Sequence, residues 1–243
     1  MGFYEEISRY YDDIFPLPRS TLEFFCHIFA SHGVKKVLDV ACGSGSLIDA
    51  LSKKGFEAAG IDLDSKMVDL ARQKAEKSSR PFSVYQGDMR DLNSMIHSKV
   101  DAIVCMGNSL VHLTKIDEIE STLKSFHHLL SPRGILIIQI INYDRILQRN
   151  LKGLPTIHKE KIGLTFERNY DYRPHEGLIY FNTRLTTADG VFENSVPLYP
   201  LKQKVLYQMI EKAGFPIQHY YGGFDSSPWT EDSYACVVVA EKA

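Results

Sequence analysis

Residues Val37 to Gly45 read V-L-D-V-A-C-G-S-G, an apolar strand running straight into a glycine turn that opens a helix. Further along, the apolar stretch Ala58 to Ile61 ends in Asp62. A strand, a tight glycine turn and an acid at the next strand's tip form a cradle for a nucleoside-bearing cofactor. Gly43 and Gly45 lack Cβ, so the backbone there can approach a ligand closely at positive φ. Asp62 offers two acceptor oxygens, suited to a pair of ribose hydroxyls. Asp88 and Met89 end a third strand in the same crevice, where a carboxylate can accept from an exocyclic amine and a polarizable sulfur can lie on a ring. A fourth strand ends in the polar loop Met106-Gly107-Asn108-Ser109. Taken singly, a glycine turn can lack a ligand and G-D-M can be turn chemistry. In register, four strand tips make one pocket. A dinucleotide pyrophosphate would want glycine or alanine at position 48, and Ile48 stands there.

Alternation of strand and helix must position these tips. The spacing predicts strands Lys36–Val40, Glu57–Ile61, Phe82–Gln86, Val100–Cys105 and Ile135–Ile141, with helices over 46–54, 66–76 and 116–130. Asp64 or Ser65 caps the second helix, and Ser131 to Gly134 reads as a turn. Repeated units of this length mean a doubly wound, mostly parallel, Rossmann-like α/β sheet with right-handed crossovers. Two amphipathic stretches come before it, Phe3–Phe15 and Arg19–Ser31, parted by P-L-P. From Thr156 to Tyr199 polar and apolar residues alternate between turn residues, the pattern of an antiparallel sheet with one wet face. A helix over 202–213 and two last strands, Pro216–Tyr221 and Tyr234–Ala240, complete a seven-stranded sheet that ends in an antiparallel hairpin. The expected division is a cofactor-binding domain, 1–142 with 201–243 and an N-terminal helical cap, and an inserted antiparallel β lid, 143–200.

The chain has 243 residues, 44% hydrophobic and 24% charged, with a formal charge of -2, ordinary values that give no bulk reason to expect a nucleic acid or membrane partner. The longest apolar run, Gly134 to Ile141, is broken by Gln139 and is too short to span a bilayer. The acidic start M-G-F-Y-E-E has no apolar signal core. Four isolated cysteines in apolar contexts predict buried, reduced thiols in a cytoplasmic protein. The histidines show no metal-ligand spacing, so no metal is expected.

The motifs D-V-A-C-G-S-G (39–45), G-I-D-L-D-S-K-M (60–67), G-D-M-R-D-L (87–92), M-G-N-S-L-V-H-L (106–113) and I-N-Y-D-R-I-L (141–147) together resemble the class I S-adenosylmethionine-dependent methyltransferases over nearly the full length. The last two point more narrowly to the glycine and sarcosine N-methyltransferase-like group. The resemblance implies S-adenosyl-L-methionine as cofactor and a small-molecule methyl acceptor, with amine nitrogen favoured. It implies that Asp39, Ala41, Gly43 and Gly45 approach the cofactor, and that Asp62 binds ribose while Leu63 packs on adenine. Asp88 and Met89 would hold the adenine, and Met106, Gly107, Asn108 and Ser109 would approach the methionine portion. Tyr11 and Arg19 are the nearest matches to a tyrosine and an arginine that close over the cofactor.

A neutral amine needs orientation and a dry site more than a dedicated base. An oxygen acceptor would need one, and His112, one turn beyond Asn108, is the candidate; a histidine satisfying a backbone carbonyl is the other reading. Tyr143 could line the acceptor site or pack the core. Among Tyr4, Tyr10 and Tyr11, one or two should point inward. In the glycine-specific branch an arginine immediately before N-Y-D grips the substrate carboxylate, whereas this chain has Ile141. Arg145, Arg168 or Arg184 could substitute. About half the rings of the insertion, among them Phe166, Tyr170, Tyr172, Tyr180, Phe181, Phe192 and Tyr199, should face inward. An NAD-dependent oxidoreductase, an O-methyltransferase and a non-catalytic nucleoside-binding module are the rival readings.

Overall fold

The computed structural model describes residues 7–243, so Tyr4 and the first residues of the expected Phe3–Phe15 helix lie outside the described residues. The remainder of that stretch forms a short 3₁₀ turn, Ser8–Tyr10, and one helical turn, α1 (Tyr11–Ile14). Helix α2 (Arg19–Ser31) begins directly after Pro18, whose extended backbone ends the linker.

The alternation then proceeds as β1 (Lys36–Val40), α3 (Ser46–Lys53), β2 (Glu57–Asp62), α4 (Ser65–Lys77), β3 (Ser83–Gln86), α5 (Leu92–Met95), β4 (Val100–Cys105), α6 (Ile116–Leu129) and β5 (Leu130–Ile141). Asp64 caps α4, accepting from the N–H groups of Lys66 and Met67 at 2.9 and 3.1 Å. Gly45 caps α3 at φ 77°, and a Cβ there would meet Ala71 Cβ at 2.9 Å. This glycine therefore serves the packing of α3 on α4.

A short helix α7 (Tyr143–Gln148) comes next, then β6 (Gly153–Lys159), β7 (Leu164–Arg173), β8 (Leu178–Thr187) and β9 (Gly190–Leu198), and finally α8 (Gln203–Lys212), β10 (Ile217–Tyr221) and β11 (Ala235–Glu241). The main sheet runs β3-β2-β1-β4-β5-β11-β10, parallel from β3 to β5, with β11 antiparallel to both β5 and β10. Strand order reverses between β1 and β4, which opens a crevice at their carboxyl ends. Both faces are buried: Phe25, Phe29, Ile48, Val104 and Ile137 fill one side, Leu38, Ile103, Phe126, Ile138 and Ile210 the other.

The second sheet, β6-β7-β8-β9, is antiparallel throughout. Ile7 and Ile14 join Met67 of α4 to Leu164, Phe166 and Leu185 of this sheet in one apolar cluster. The N-terminal segment from Ile7 thus packs between helix α4 and the second sheet.

Three expectations are corrected. The Ser131–Gly134 turn is drawn into β5, because a register shift against β4 between Val100 and Ala102 and Arg133 at φ 60° absorb its residues as an irregularity. The N-terminal helix is broken into two short turns. Cys105 and Cys236 are buried, but Cys26 and Cys42 are only partly so. Among the described residues no helix is long and apolar enough to cross a membrane, and no three His, Cys, Asp or Glu side chains cluster as metal ligands.

Candidate active site

The tips of β1, β2, β3 and β4 surround a cavity of about 610 Å³. The glycine turn after β1 carries three left-handed residues, Ala41 at φ 60°, Gly43 at φ 55° and Gly45 at φ 77°. Its geometry is pinned by Asp62, whose Oδ2 accepts the Gly43 N–H at 2.7 Å and whose Oδ1 accepts the Asp64 N–H at 3.0 Å. A carboxylate has about four lone-pair sites, so both oxygens keep capacity toward the cavity. Burial raises the Asp62 pKa, and these N–H bonds pull against it. Leu63 projects 65% exposed at the mouth, and Met89 lines the wall. Asp88 also lines it, but the Arg90 guanidinium grips both its oxygens, at 3.0 and 2.6 Å, and holds its carboxyl below the usual range.

A larger cavity of about 840 Å³ lies beneath the second sheet. Tyr11, Ala41, Gly107, Ser109 and His112 line both cavities and form the waist between them. The β4 loop at this waist is braced from β5: the Gly107 N–H donates to Gln139 Oε1 at 2.8 Å, and Asn108 Oδ1 accepts the Ile141 N–H at 3.0 Å. The Asn108 amide also donates to Tyr143 Oη at 3.0 Å. Gly107 at φ 74° and Asn108 at φ 67° hold the loop in a left-handed bend that such bracing must maintain. His112 is exposed and has no hydrogen-bond partner among the described residues, and partial desolvation of the ring lowers its pKa.

On the β1 side of the larger cavity, Asp39 is 2% exposed and its Oδ1 has no hydrogen-bond partner. Burial, reinforced by the Asp62 charge, pushes its carboxyl well above the ordinary carboxylate range. A buried Asp39 and a half-buried Asp62, neither ion-paired among the described residues, suit a ligand that brings positive charge.

The methyltransferase domain family matches residues 37–134. A glycine/sarcosine N-methyltransferase of Parasynechococcus marenigrum is 30% identical over 223 residues, covering 90% of this chain and 76% of that protein. The chain belongs to the S-adenosylmethionine-dependent methyltransferases. An S-adenosylmethionine-dependent methyltransferase of Clostridium acetobutylicum shares the fold with a TM-score of 0.83 at 16% identity, over 100% of both chains. An amino pentose methyltransferase of Micromonospora echinaspora, solved with S-adenosylmethionine bound, aligns with a TM-score of 0.74 at 19% identity, over 100% of this chain and 98% of that one.

The cofactor of this methyltransferase is S-adenosylmethionine, and the residues present fit it. Asp39, with its unpaired oxygen, and Asp62, with spare lone pairs, line the two cavities that meet at the waist. Tyr11 lies against the glycine turn, since a Cβ on Gly43 would meet Tyr11 Oη at 3.0 Å. Asp39, Ala41, Gly43, Asp62, Leu63, Asp88, Met89 and the loop Met106 to Ser109 are all brought to these cavities. Three expected residues are not. Arg19 lies on the surface of α2, 90% exposed and paired with Glu23. Gly45 lines neither cavity. Tyr143 is fully buried, lines neither cavity, and serves to hold Asn108; burial pushes its hydroxyl pKa far up.

Some functional candidates escape a reading of the sequence. Gln139 looks like a mere break in an apolar run, yet a polar residue inside a buried strand is its signal. The Asp12 carboxylate accepts from Ser44 and Ser46 Oγ and from Lys74 Nζ, the last two at 2.9 and 2.8 Å, and so ties α1 to the glycine turn. Nothing in the sequence singles Asp12 out. Asn142, read as part of a family motif, caps α7 and holds the 230–233 loop through its amide.

Proposed function

We propose that this methyltransferase acts on an amine nitrogen of a small molecule that occupies the larger cavity, while the smaller cavity takes the nucleoside. The waist formed by Tyr11, Ala41, Gly107, Ser109 and His112 carries this reading, because it joins a nucleoside-sized space to a second, ring-lined one. A volume of about 840 Å³ is in the range of small-molecule sites. The relative from Parasynechococcus marenigrum, named as an N-methyltransferase, supports nitrogen over oxygen.

In this reading Asp62 takes the ribose hydroxyls, Leu63 and Met89 flank the base, and Asp39 faces the methionine ammonium. When bound, S-adenosylmethionine supplies a methyl carbon made electrophilic by its positive sulfur. The chain's own work is orientation and the exclusion of water, effects worth roughly 7–11 kcal/mol when geometry is right. Segment 143–200 acts as the lid over a cofactor domain built from 1–142 and 201–243, and the N-terminal turn seals the seam. His112, exposed and unpartnered at the waist among the described residues, is placed to pass a proton from the acceptor nitrogen to solvent.

Radiolabelled methyl transfer to matched amines and alcohols tests the proposal. Label in the amines supports it. Label confined to alcohols makes His112 the base of an O-methyltransferase, and tight S-adenosylmethionine binding without any turnover marks a binding module.

A further inference from the structure

Where the lid sheet lines the larger cavity, Leu154, Phe166, Phe181 and Val196 are apolar and one cross-strand row is polar. Pairing across β7, β8 and β9 sets Arg168 opposite Thr183, and Thr183 opposite Asn194. The neighbouring pairs on that face are Phe166 with Leu185 and Tyr170 with Phe181. Arg168, Thr183 and Asn194 all line the larger cavity, and so does Tyr170. Thr183 is 4% exposed and Tyr170 7%, yet among the described residues neither hydroxyl has a hydrogen-bond partner, nor has Arg168 Nε. One terminal nitrogen of Arg168 donates to the Pro155 carbonyl, and among the described residues the guanidinium forms no ion pair.

The other candidate arginines differ. Arg184 lies on the opposite face of β8, paired with Glu167 and Glu193. Arg145 lines neither cavity. Ile141, where the resemblance implies an arginine, presents only an apolar side chain to the same cavity.

Each buried donor without an acceptor calls for an explanation, and an acceptor brought by a ligand in the adjoining cavity is one. A guanidinium beside two hydroxyls and an amide matches an oxyanion, and the planar fork of arginine matches a carboxylate best. We infer that Arg168, Thr183 and Asn194, with Tyr170, form a lid subsite for a carboxylate on the methyl acceptor, with Phe166 and Phe181 seating its apolar body. The acceptor class is therefore a carboxylate-bearing amine with a larger side chain than glycine. This rests on the amine reading above.

The test uses full-length enzyme saturated with S-adenosylhomocysteine and ligand-detected saturation-transfer NMR. The probes are glycine, leucine, phenylalanine, tyrosine and tryptophan, each beside its carboxamide. At least one ring-bearing acid should bind tenfold or more tighter than its amide. Arg168→Met should erase that preference, Arg168→Lys should restore part of it, and S-adenosylhomocysteine affinity should change less than twofold. Thr183→Val, close in shape, should weaken the acid several-fold and guards against misfolding of the arginine variants. Equal binding of acids and amides, no binding by any acid, or loss of S-adenosylhomocysteine affinity in Arg168→Met overturns the subsite. Radiolabelled turnover of the same pairs separates the two claims. Acids that bind without accepting label contradict the amine reading alone, and amines labelled with no acid preference contradict the subsite alone.

Discussion

Asp39 and Asp62 sit on adjacent strands with their carboxyls raised by burial, and Asp39 also feels the Asp62 charge. A carboxyl whose pKa is raised on folding binds its proton more tightly in the native state than in the unfolded one. Ligand-free stability therefore falls as pH rises from the ordinary value near 3.8 through the raised one. Asp39→Asn removes that loss, so it should raise the melting temperature of the ligand-free protein at neutral pH, roughly 2–4 °C for each kcal/mol relieved. The same change should weaken S-adenosylmethionine binding, as calorimetry would read; a variant neither stabilised nor weakened would exclude Asp39 from the site. Asp62→Ala should cost more than tenfold in affinity, about 1.4 kcal/mol or more, and an unchanged affinity would reject the ribose assignment. Asn108→Ala orphans the Ile141 N–H, a cost of roughly 1–3 kcal/mol, so stability and turnover should fall together in denaturation and activity measurements. If turnover collapses while stability holds, Asn108 contacts the reacting groups instead of positioning the loop.

The elements that carry this site differ in how plainly the chain announces them. Strands β1 and β4 and helix α2 begin and end where hydrophobic runs and their flanking prolines and glycines put them. The glycine turn and the acid after β2 are equally legible, because both obey a local backbone rule. The Arg168 row is not, since β-pairing between distant strands decides which polar residues become neighbours. Arg19 fails for the opposite reason: a short linker gives no sign of which way a helix face will turn, and Glu23 one turn on makes the solvent side favourable. The Asp12 latch is also a long-range product. Burial would raise its carboxyl, but Lys74, Ser44 and Ser46 outweigh this and hold it below the ordinary value. Its stabilising contact is present above the ordinary carboxylate value and is lost as pH falls through the lowered one. Asp12→Ala should therefore speed proteolysis ahead of Arg19 and weaken cofactor binding at neutral pH, with the main sheet intact by circular dichroism. Unchanged proteolysis and affinity would show that α1 is held without the Asp12 contacts, by packing and by the Tyr10–Asp189 bond.

Across the molecule, two sheets of different construction divide the chemistry. The parallel sheet offers backbone turns and carboxylates at its tips, which suits a cationic nucleoside. The antiparallel sheet offers rings and unpaired donors, which suits an anionic acceptor. The N-terminal turn belongs to neither sheet, yet it touches the lid sheet and the glycine turn after β1. In the proposed function the nucleoside and the acceptor lie on opposite sides of the Tyr11–His112 waist. A crystal structure of the enzyme with S-adenosylhomocysteine tests it most directly. Ribose density on Asp62, adenine between Leu63 and Met89, and sulfur at the waist facing the lid cavity are the expected result. Sulfur directed away from that cavity, or a nucleoside bound beneath the lid, would contradict it.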